Sequence, residues 1–440
     1  MIYFSMNNNI TITIIGTGYV GLVSGACLAD IGNKVICLDF DNQKIKSISE
    51  GNIPFYEPGL STLVKDNIQK KNLSFSSCYN NCCESDVYFI CVDTPDDGTG
   101  KSDLKNFNKV IDSLAENLSK DSLIVTKSTV PLGTNKYLEE MLSKKIKNKN
   151  INLSFASNPE FLREGNAIND FMQPDRIVVG CREKEKKVFE KMYSSLSEKL
   201  MFVSSESAEI IKYAANSFLA TKISFINEIA NLVDITGGNI HEIKKGVGSD
   251  KRIGMQFLNA GIGFGGSCFP KDVNSLLNTQ RNFGLGEGIL ERTLQINNNQ
   301  YKFLTKKIFK FFSGNTKNIN CYIWGLAFKG DTDDIRESVS IKIIKEISPN
   351  FNKIYAYDPQ AIDNSKEALK NLDNVVFTEN KYDQIKICSL LVIATEWNEF
   401  KEIDPLEIKK TGINVIFDGK NILDKKQVEN MGIQYFGVGH

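Results

Sequence analysis

The 440-residue chain reads as an α/β protein with two αβ halves on either side of a long helix. Two observations predict this. Short β-branched or apolar runs alternate with helix-like segments at both ends of the chain, and the stretch from Ser207 to Thr236 between them contains neither Gly nor Pro.

The first half opens with ITITII at 10–15, a strand that runs into GTGYVGL and an alanine- and leucine-bearing helix pattern reaching Ile31. KVICLDF at 34–40 is the next strand. VYFICV at 87–92, SLIVTK at 122–127, INLSFA at 151–156 and RIVVG at 176–180 continue the series. Such runs, separated by helical or loop-like segments, predict a parallel sheet with crossover helices. In the middle, Ile211, Ala214, Phe218, Ile229 and Val233 recur near helical spacing. That predicts one long helix, started by the Ser/Glu-rich SSESAE and stopped by Gly237-Gly238. From 319 the strands return as NCYIWG, KIYAYD, NVVF, LLVIAT and INVIFD, a second αβ domain of about 120 residues. The expected division is 1–204, 205–312 and 313–440, with the long apolar helix as the core of a homodimer or higher oligomer.

Composition narrows the function. Lys+Arg and Asp+Glu are both 53, so the formal net charge is zero. No basic excess points to nucleic acid or to an anionic membrane, and the expected partner is a small molecule. No apolar run reaches the roughly 18 residues that cross a bilayer, and MIYFSMNNN at the start has no signal-peptide pattern. A cytoplasmic protein is expected. Of the ten cysteines, Cys27, Cys37, Cys91, Cys321 and Cys388 lie in apolar runs and read as small core residues. Cys78, Cys82 and Cys83 match no usual zinc spacing and have no histidine near, so no metal site is expected.

Three constellations carry chemistry. Gly16, Gly18 and Gly21 have G-x-G-x-x-G spacing between a strand and a helix, where backbone amides can approach a pyrophosphate. Asp39 ends the second strand 18 residues after Gly21, placed to accept from a ribose diol and to repel a 2′-phosphate. The pair therefore predicts NAD rather than NADP, and the second αβ half implies either a second nucleotide-shaped ligand or a relic. FGGSCFPKD at 264–272 sets Cys268 in a glycine-rich loop. A thiolate is of no use to a plain alcohol dehydrogenase, but it can hold an aldehyde as a thiohemiacetal from which a second hydride leaves. A four-electron oxidation is expected. Lys212 and Asn216, four residues apart on one helix face, can stabilise an oxyanion, and the lysine's charge favours the thiolate.

GTGYVGL at 16–22, PFYEPGL at 54–60, KSTVPLGT at 127–134, NPEFLREG at 158–165, PDRIVVG at 174–180, GFGGSCFPKD at 263–272 and AFKGDTDDIRES at 327–338 run in order through nearly the whole chain. Together they resemble the UDP-glucose/GDP-mannose dehydrogenase family. REGNAINDF with QPDRIVVG, and RIG with GFGGSCFPKD, are more similar to the UDP-glucose branch than to the GDP-mannose branch. The resemblance implies UDP-glucose as substrate, with Cys268 as the nucleophile of a thiohemiacetal and a thioester. It implies Lys212 and Asn216 for the oxyanion, Asp272 and Thr129 for the water or proton relay, and Glu160 for acid/base work in thioester hydrolysis. NAD contacts are implied for Gly16, Gly18, Gly21, Asp39, Lys44, Thr94, Thr129, Glu164, Lys271 and Arg336. Sugar-nucleotide contacts are implied for Glu160, Phe161, Leu162, Arg163, Glu164, Lys212, Asn216, Arg252, the loop with Phe257, Leu258, Asn259 and Gly265, and Lys329. Lys420 stands where the family often has arginine, and it lacks the planar fork. The acidic loop CVDTPDDG, with Asp93 before Thr94, has no physical account. Alternatives are a GDP-mannose or UDP-N-acetylhexosamine dehydrogenase, a two-electron hydroxyacid dehydrogenase, and a non-catalytic NAD sensor; the last two have no use for Cys268.

Overall fold

A computed structural model describes residues 10–95, 97, 100, 102–286, 288–403, 407, 408 and 410–440. The opening MIYFSMNNN segment and Asp96 and Gly98 of the acidic loop lie outside the described residues. Two compact units divide at 215/216, inside one helix.

The first unit contains strands β1 (Thr11–Ile15), β2 (Lys34–Leu38), β3 (Leu73–Ser76), β4 (Val87–Ile90), β5 (Ser122–Thr126), β6 (Leu153–Ser157), β7 (Ile177–Gly180) and β8 (Leu200–Val203). Its helices are α1 (Tyr19–Asp30), α2 (Asn42–Ser49), α3 (Leu60–Gln69), α4 (Lys105–Asn117), α5 (Thr134–Lys145), α6 (Ala167–Met172) and α7 (Lys186–Met192), followed by the start of α8 (Ser205–Thr236). The strand order is β3-β2-β1-β4-β5-β6-β7-β8. Its first six strands are all parallel and follow the 3-2-1-4-5-6 order of a dinucleotide-binding fold. Ile12, Ile14, Phe89 and Val125 pack on one face with α1; Ile15, Tyr88, Ile90 and Ile124 pack on the other with α4 and α5. Burial on both faces is why these strands read as continuous apolar runs rather than as alternating ones.

One strand departs from the expected parallel pattern. β7 pairs antiparallel to β6 through Ser157 and Gly180. The connection between them, residues 158–176, carries the six-residue α6 and brings the chain back antiparallel.

The second unit contains α9 (Ile240–Gly248), α10 (Phe269–Asn282), α11 (Ile289–Phe311), β9 (Asn320–Trp324), α12 (Val339–Ile347), β10 (Lys353–Tyr357), α13 (Ile362–Ala368), β11 (Val375–Phe377), β12 (Leu390–Ile393), β13 (Val415–Asp418) and β14 (Gln434–Phe436), with the rest of α8. Its sheet is parallel throughout, in the order β11-β10-β9-β12-β13-β14, again 3-2-1-4-5-6. The fold is thus two parallel-sheet αβ domains with a long central helix. That helix, predicted from Ser207, runs 32 residues from Ser205, about 48 Å. Among the described residues no helix is long and apolar enough to cross a membrane.

The two sheets repeat one local device. Gly16 after β1 and Gly325 after β9 have φ of 98° and 100°, which a residue with a Cβ rarely adopts. Each donates its N–H at 2.8 Å to the last residue of the neighbouring strand, Leu38 or Tyr357, and an aspartate follows that residue in both halves. In the second half this is Asp358, whose Oδ2 accepts from Leu326 N, Ala327 N and Trp397 Nε1 and whose Oδ1 accepts from Gln360 N and Ala361 N, all within 3.1 Å. Removing a buried anion that satisfies five donors leaves all five unpaired. Asp358→Ala is therefore expected to lower the unfolding free energy by about 3–5 kcal/mol, read as a drop in urea midpoint. An unchanged midpoint would show that the aspartate carries no net stability.

Candidate active site

In the first unit, functional side chains gather where parallel strands end, beside the switch point between β1 and β4. A Cβ on Gly21 would lie 1.9 Å from Gly16 O, and one on Gly16 would lie 2.8 Å from Cys91 O, so this turn has room only for glycine. Gly18 is the N-cap of α1, bears no side-chain cap, and has nothing within 4 Å of a would-be Cβ. The first-turn amides of α1 are thus open to an anion. Asp39 Oδ2 accepts from Thr17 N at 2.9 Å, Thr17 Oγ1 at 2.7 Å and Lys44 Nζ at 2.8 Å, while Oδ1 accepts from Asp41 N at 3.2 Å. Burial pushes the Asp39 carboxyl up, but Lys44 and Thr17 outweigh it and hold the group below the ordinary aspartate value. An ionised Asp39 with acceptor capacity left on Oδ1, beside an uncapped helix start, fits NAD.

Thr94 Oγ1 donates to Thr129 O at 2.7 Å, tying the ends of β4 and β5 together. Asp93 in the same acidic loop accepts from Asn106 at 2.9 Å. The Thr129 segment is fixed from α8: Glu209 accepts from Gly133 N at 2.6 Å and Asn135 N at 2.8 Å at the start of α5. One turn further along α8, Lys212 Nζ donates to Glu160 Oε1 at 2.8 Å. Both side chains are buried. Burial alone would raise the Glu160 carboxyl. The Lys212 ammonium, the Leu162 amide at 2.5 Å and Lys127 outweigh it and hold the group below the usual carboxylate range. Phe161 lies under both Arg176, 4.0 Å from its centroid, and Lys212, 5.4 Å away. Arg163 is paired with Asp170, and Glu164 is half-buried one residue before Gly165.

The second unit brings together Cys268, Asn216, Asp272 and Lys271. The glycine-rich loop read from the sequence ends at Cys268, which is the N-cap residue of α10 with Pro270 in the first turn. The thiol is partly exposed, 3.6 Å from Ser267 Oγ. Asp272, buried one turn on, donates its N–H to Cys268 O. Its carboxylate accepts from Asn216 Nδ2 at 2.6 Å and Lys271 Nζ at 2.8 Å. The loop has no slack: a Cβ on Gly265 would lie 2.3 Å from Glu337 O, and Gly266 N donates to Arg336 O at 2.9 Å. Phe257 has φ of 63°, an uncommon strained conformation for an aromatic residue, and its ring lies 6.2 Å from Phe269 next to Cys268.

The remaining residues divide by partner. Arg252 and Arg336 are exposed and held by Asp250 and Asp334. Leu258 is buried, and Asn259 accepts from Lys244 at 2.5 Å. Lys420 pairs with Glu396 at 2.9 Å, and Lys329 contributes to lowering the same carboxyl. Sequence reasoning missed Glu396, Asn297 and Lys127. Asn297 of α11 clamps the Phe264 backbone from both sides, accepting from its N–H at 2.8 Å and donating to its carbonyl at 3.0 Å. Nothing in the run QINNNQ singles out one asparagine. Lys127 did have a signal, a lysine directly at the end of an apolar strand.

The three parts of the chain match three family models. Residues 10–197 match the NAD-binding domain of the UDP-glucose/GDP-mannose dehydrogenase family, 206–299 its central domain and 322–425 its UDP-binding domain. The UDP-glucose 6-dehydrogenase of Rickettsia conorii is 42% identical over 432 residues, covering 97% of this chain and 99% of that one. That of Rhizobium meliloti is 39% identical over 438 residues, with 97% and 99% covered. Among solved structures, a UDP-glucose dehydrogenase from Pyrobaculum islandicum superimposes with a TM-score of 0.90 at 30% identity, covering 98% of both chains. A UDP-D-ManNAc dehydrogenase from Pyrococcus horikoshii gives 0.85 at 26%, covering 98% of this chain and 99% of that one. With an open helix N-terminus beside an ionised Asp39 and a cysteine backed by Asp272, the chain belongs to the UDP-glucose/GDP-mannose dehydrogenase family, NAD-using oxidoreductases.

Proposed function

We propose that the chain oxidises UDP-glucose to UDP-glucuronate: UDP-glucose, two NAD+ and water give UDP-glucuronate, two NADH and protons. The observation that carries this reading is Cys268 at the head of α10, with the buried Asp272 one turn on, bonded to Asn216 and Lys271. NAD, when bound, takes up the hydride of each oxidation. The C6 hydroxyl loses its proton and C6 its hydride, leaving an aldehyde. The Cys268 thiolate then adds to the carbonyl carbon, forming a C–S bond and pushing the carbonyl pair onto oxygen, where Lys212 and Asn216 stabilise it. Loss of hydride from the same carbon restores the C=O bond as a thioester. Glu160, kept ionised, takes a proton from the attacking water, and the C–S bond breaks to return the thiolate. Asp272 and Thr129 hold the water and relay its proton. In this division 1–204 holds NAD, 205–312 is the central and dimerising part, and 313–440 holds the UDP-sugar with Lys329 and Lys420.

Identities of 39–42% over nearly the whole chain to enzymes named UDP-glucose 6-dehydrogenase support that substrate, and among solved structures the UDP-glucose dehydrogenase is 30% identical against 26% for the UDP-D-ManNAc dehydrogenase. A reducing, cytoplasmic setting suits a chain whose ten cysteines are all unpaired and whose chemistry needs a free thiol.

A homodimer is supported by the exposed apolar stripe of α8. Phe218, Phe225 and Leu232 recur every seven residues with Ile235 beside them, and are 66%, 50%, 55% and 84% exposed. Light scattering is expected to give at least twice the chain mass, with Phe225→Asp shifting it toward the monomer. A stable, active monomer of the unmodified chain would contradict this.

Cys268→Ser tests the mechanism. The change is nearly isosteric, so fold and ligand binding are expected to persist. A hydroxyl is a far weaker nucleophile near neutral pH, and an ester is less reactive to water than a thioester. NADH formation is expected to fall by orders of magnitude, with a stalled adduct visible by mass spectrometry after incubation with UDP-glucose and NAD+. Two NADH per sugar at near-normal speed would remove the thiol from the mechanism.

A further inference from the structure

Lys127 is an anomaly. It directly follows β5, is 4% exposed, and among the described residues forms no ion pair. Its ammonium donates two long hydrogen bonds to one residue, to Asn158 Oδ1 at 3.3 Å and Asn158 O at 3.5 Å, and sits 5.9 Å from the ring centroids of both Phe89 and Phe171. Asn158 Oδ1 is already shared with the Tyr193 hydroxyl at 2.8 Å, and its Nδ2 is bound to Val178 O. A methionine would fill this space without the cost of burying a cation. Burial holds the Lys127 ammonium below the usual lysine range, and Cys91 and Glu160 work against that shift.

The surroundings leave one anion. Residue 126 pairs with residue 157 across β5 and β6, and Asn158 N donates to Thr126 O, so Lys127 and Asn158 leave the sheet side by side, two residues before Thr129 and Glu160. The groups facing Lys127 are Cys91 after β4, Cys27 of α1, Glu160 after β6 and Lys212 of α8. Burial pushes both thiols up to about 12, so they are uncharged near neutral pH. Burial likewise raises the Tyr193 hydroxyl, which is also neutral. Glu160, whose own ionised neighbours are Lys212 and Lys127, is the remaining anion.

We propose that Lys127 is a positioning residue for the Glu160 carboxylate: a buried ammonium, out of contact with substrate, that together with Lys212 keeps Glu160 ionised. The proposal rests on the acid/base role given to Glu160 above. Without Lys127, Glu160 meets the same burial with one cation fewer and binds its proton more tightly. Activity that needs the carboxylate is lost as pH falls through that titration, so the acid limb of the kcat profile moves to higher pH. KM for the sugar nucleotide is expected to stay near its original value.

The test is the titration of Glu160 in the free protein, followed by NMR of 13C-carboxyl glutamate, with the resonance assigned by its loss in Glu160→Gln. Lys127→Met and Lys127→Gln, the second keeping a donor toward Asn158, are expected to raise the proton affinity of Glu160 about threefold or more. An unmoved titration in either folded variant would overturn the proposal and leave Lys127 as packing. Should neither variant fold, the reciprocal measurement applies: in Glu160→Gln the 15Nζ titration of Lys127 must fall by a similar factor, and an unchanged value overturns the proposal. These titrations need no substrate. A chain that fails to oxidise UDP-glucose would end the preceding reading and leave them intact.

Discussion

The buried pair of Lys212 and Glu160 fastens the first turns of α8 to the segment that follows β6 in the first sheet. Two charges with almost no solvent are stable only with close geometry and further hydrogen bonds, and breaking such a pair costs about 3–5 kcal/mol. Here the 2.8 Å contact, the Leu162 amide and the nearby Lys127 meet that demand, and Glu209 adds a second anchor by capping α5. The pair fixes the position of Lys212 and the ionisation of Glu160 together. Within the second unit, Asn216 donates to Asp272, one turn into the helix that Cys268 begins.

The two sheets show how one topology serves different ends. In both, a glycine near φ 100° closes on the neighbouring strand and an aspartate follows. Asp39 spends Oδ2 on Thr17 and Lys44 and keeps acceptor capacity on Oδ1. Asp358 spends both oxygens on its own loops and on Trp397, and is 1% exposed. The aspartate that keeps an acceptor available in the first half is a structural staple in the second. That accounts for a single dinucleotide fingerprint in a chain with two such folds.

Much of this was legible in the sequence, because parallel strands buried on both faces must be apolar throughout and because the Gly16-x-Gly18-x-x-Gly21 turn permits nothing larger at its tight positions. The long helix was legible from the absence of Gly and Pro and from its apolar spacing. The reversed strand β7 was not, since its composition matches any buried strand and strand direction leaves no mark on it. Nor was the place of Cys268 at a helix start, or the pairing of Arg163, Arg252 and Arg336 with carboxylates a few residues away. Those depend on backbone path, which residue types alone leave open. Lys127 was legible as a residue but not as a buried one, because burial of a cation is decided by neighbours distant in sequence.

If one chain carries C6 of a UDP-hexose through the aldehyde to the acid, the count of electrons shows it most directly. NADH formed per sugar nucleotide, measured to completion across a panel of UDP- and GDP-sugars, is expected to be two for UDP-glucose, with UDP-glucuronate as product and the other sugars far slower. One NADH per UDP-glucose with free aldehyde released, or faster turnover of GDP-mannose, would contradict the account.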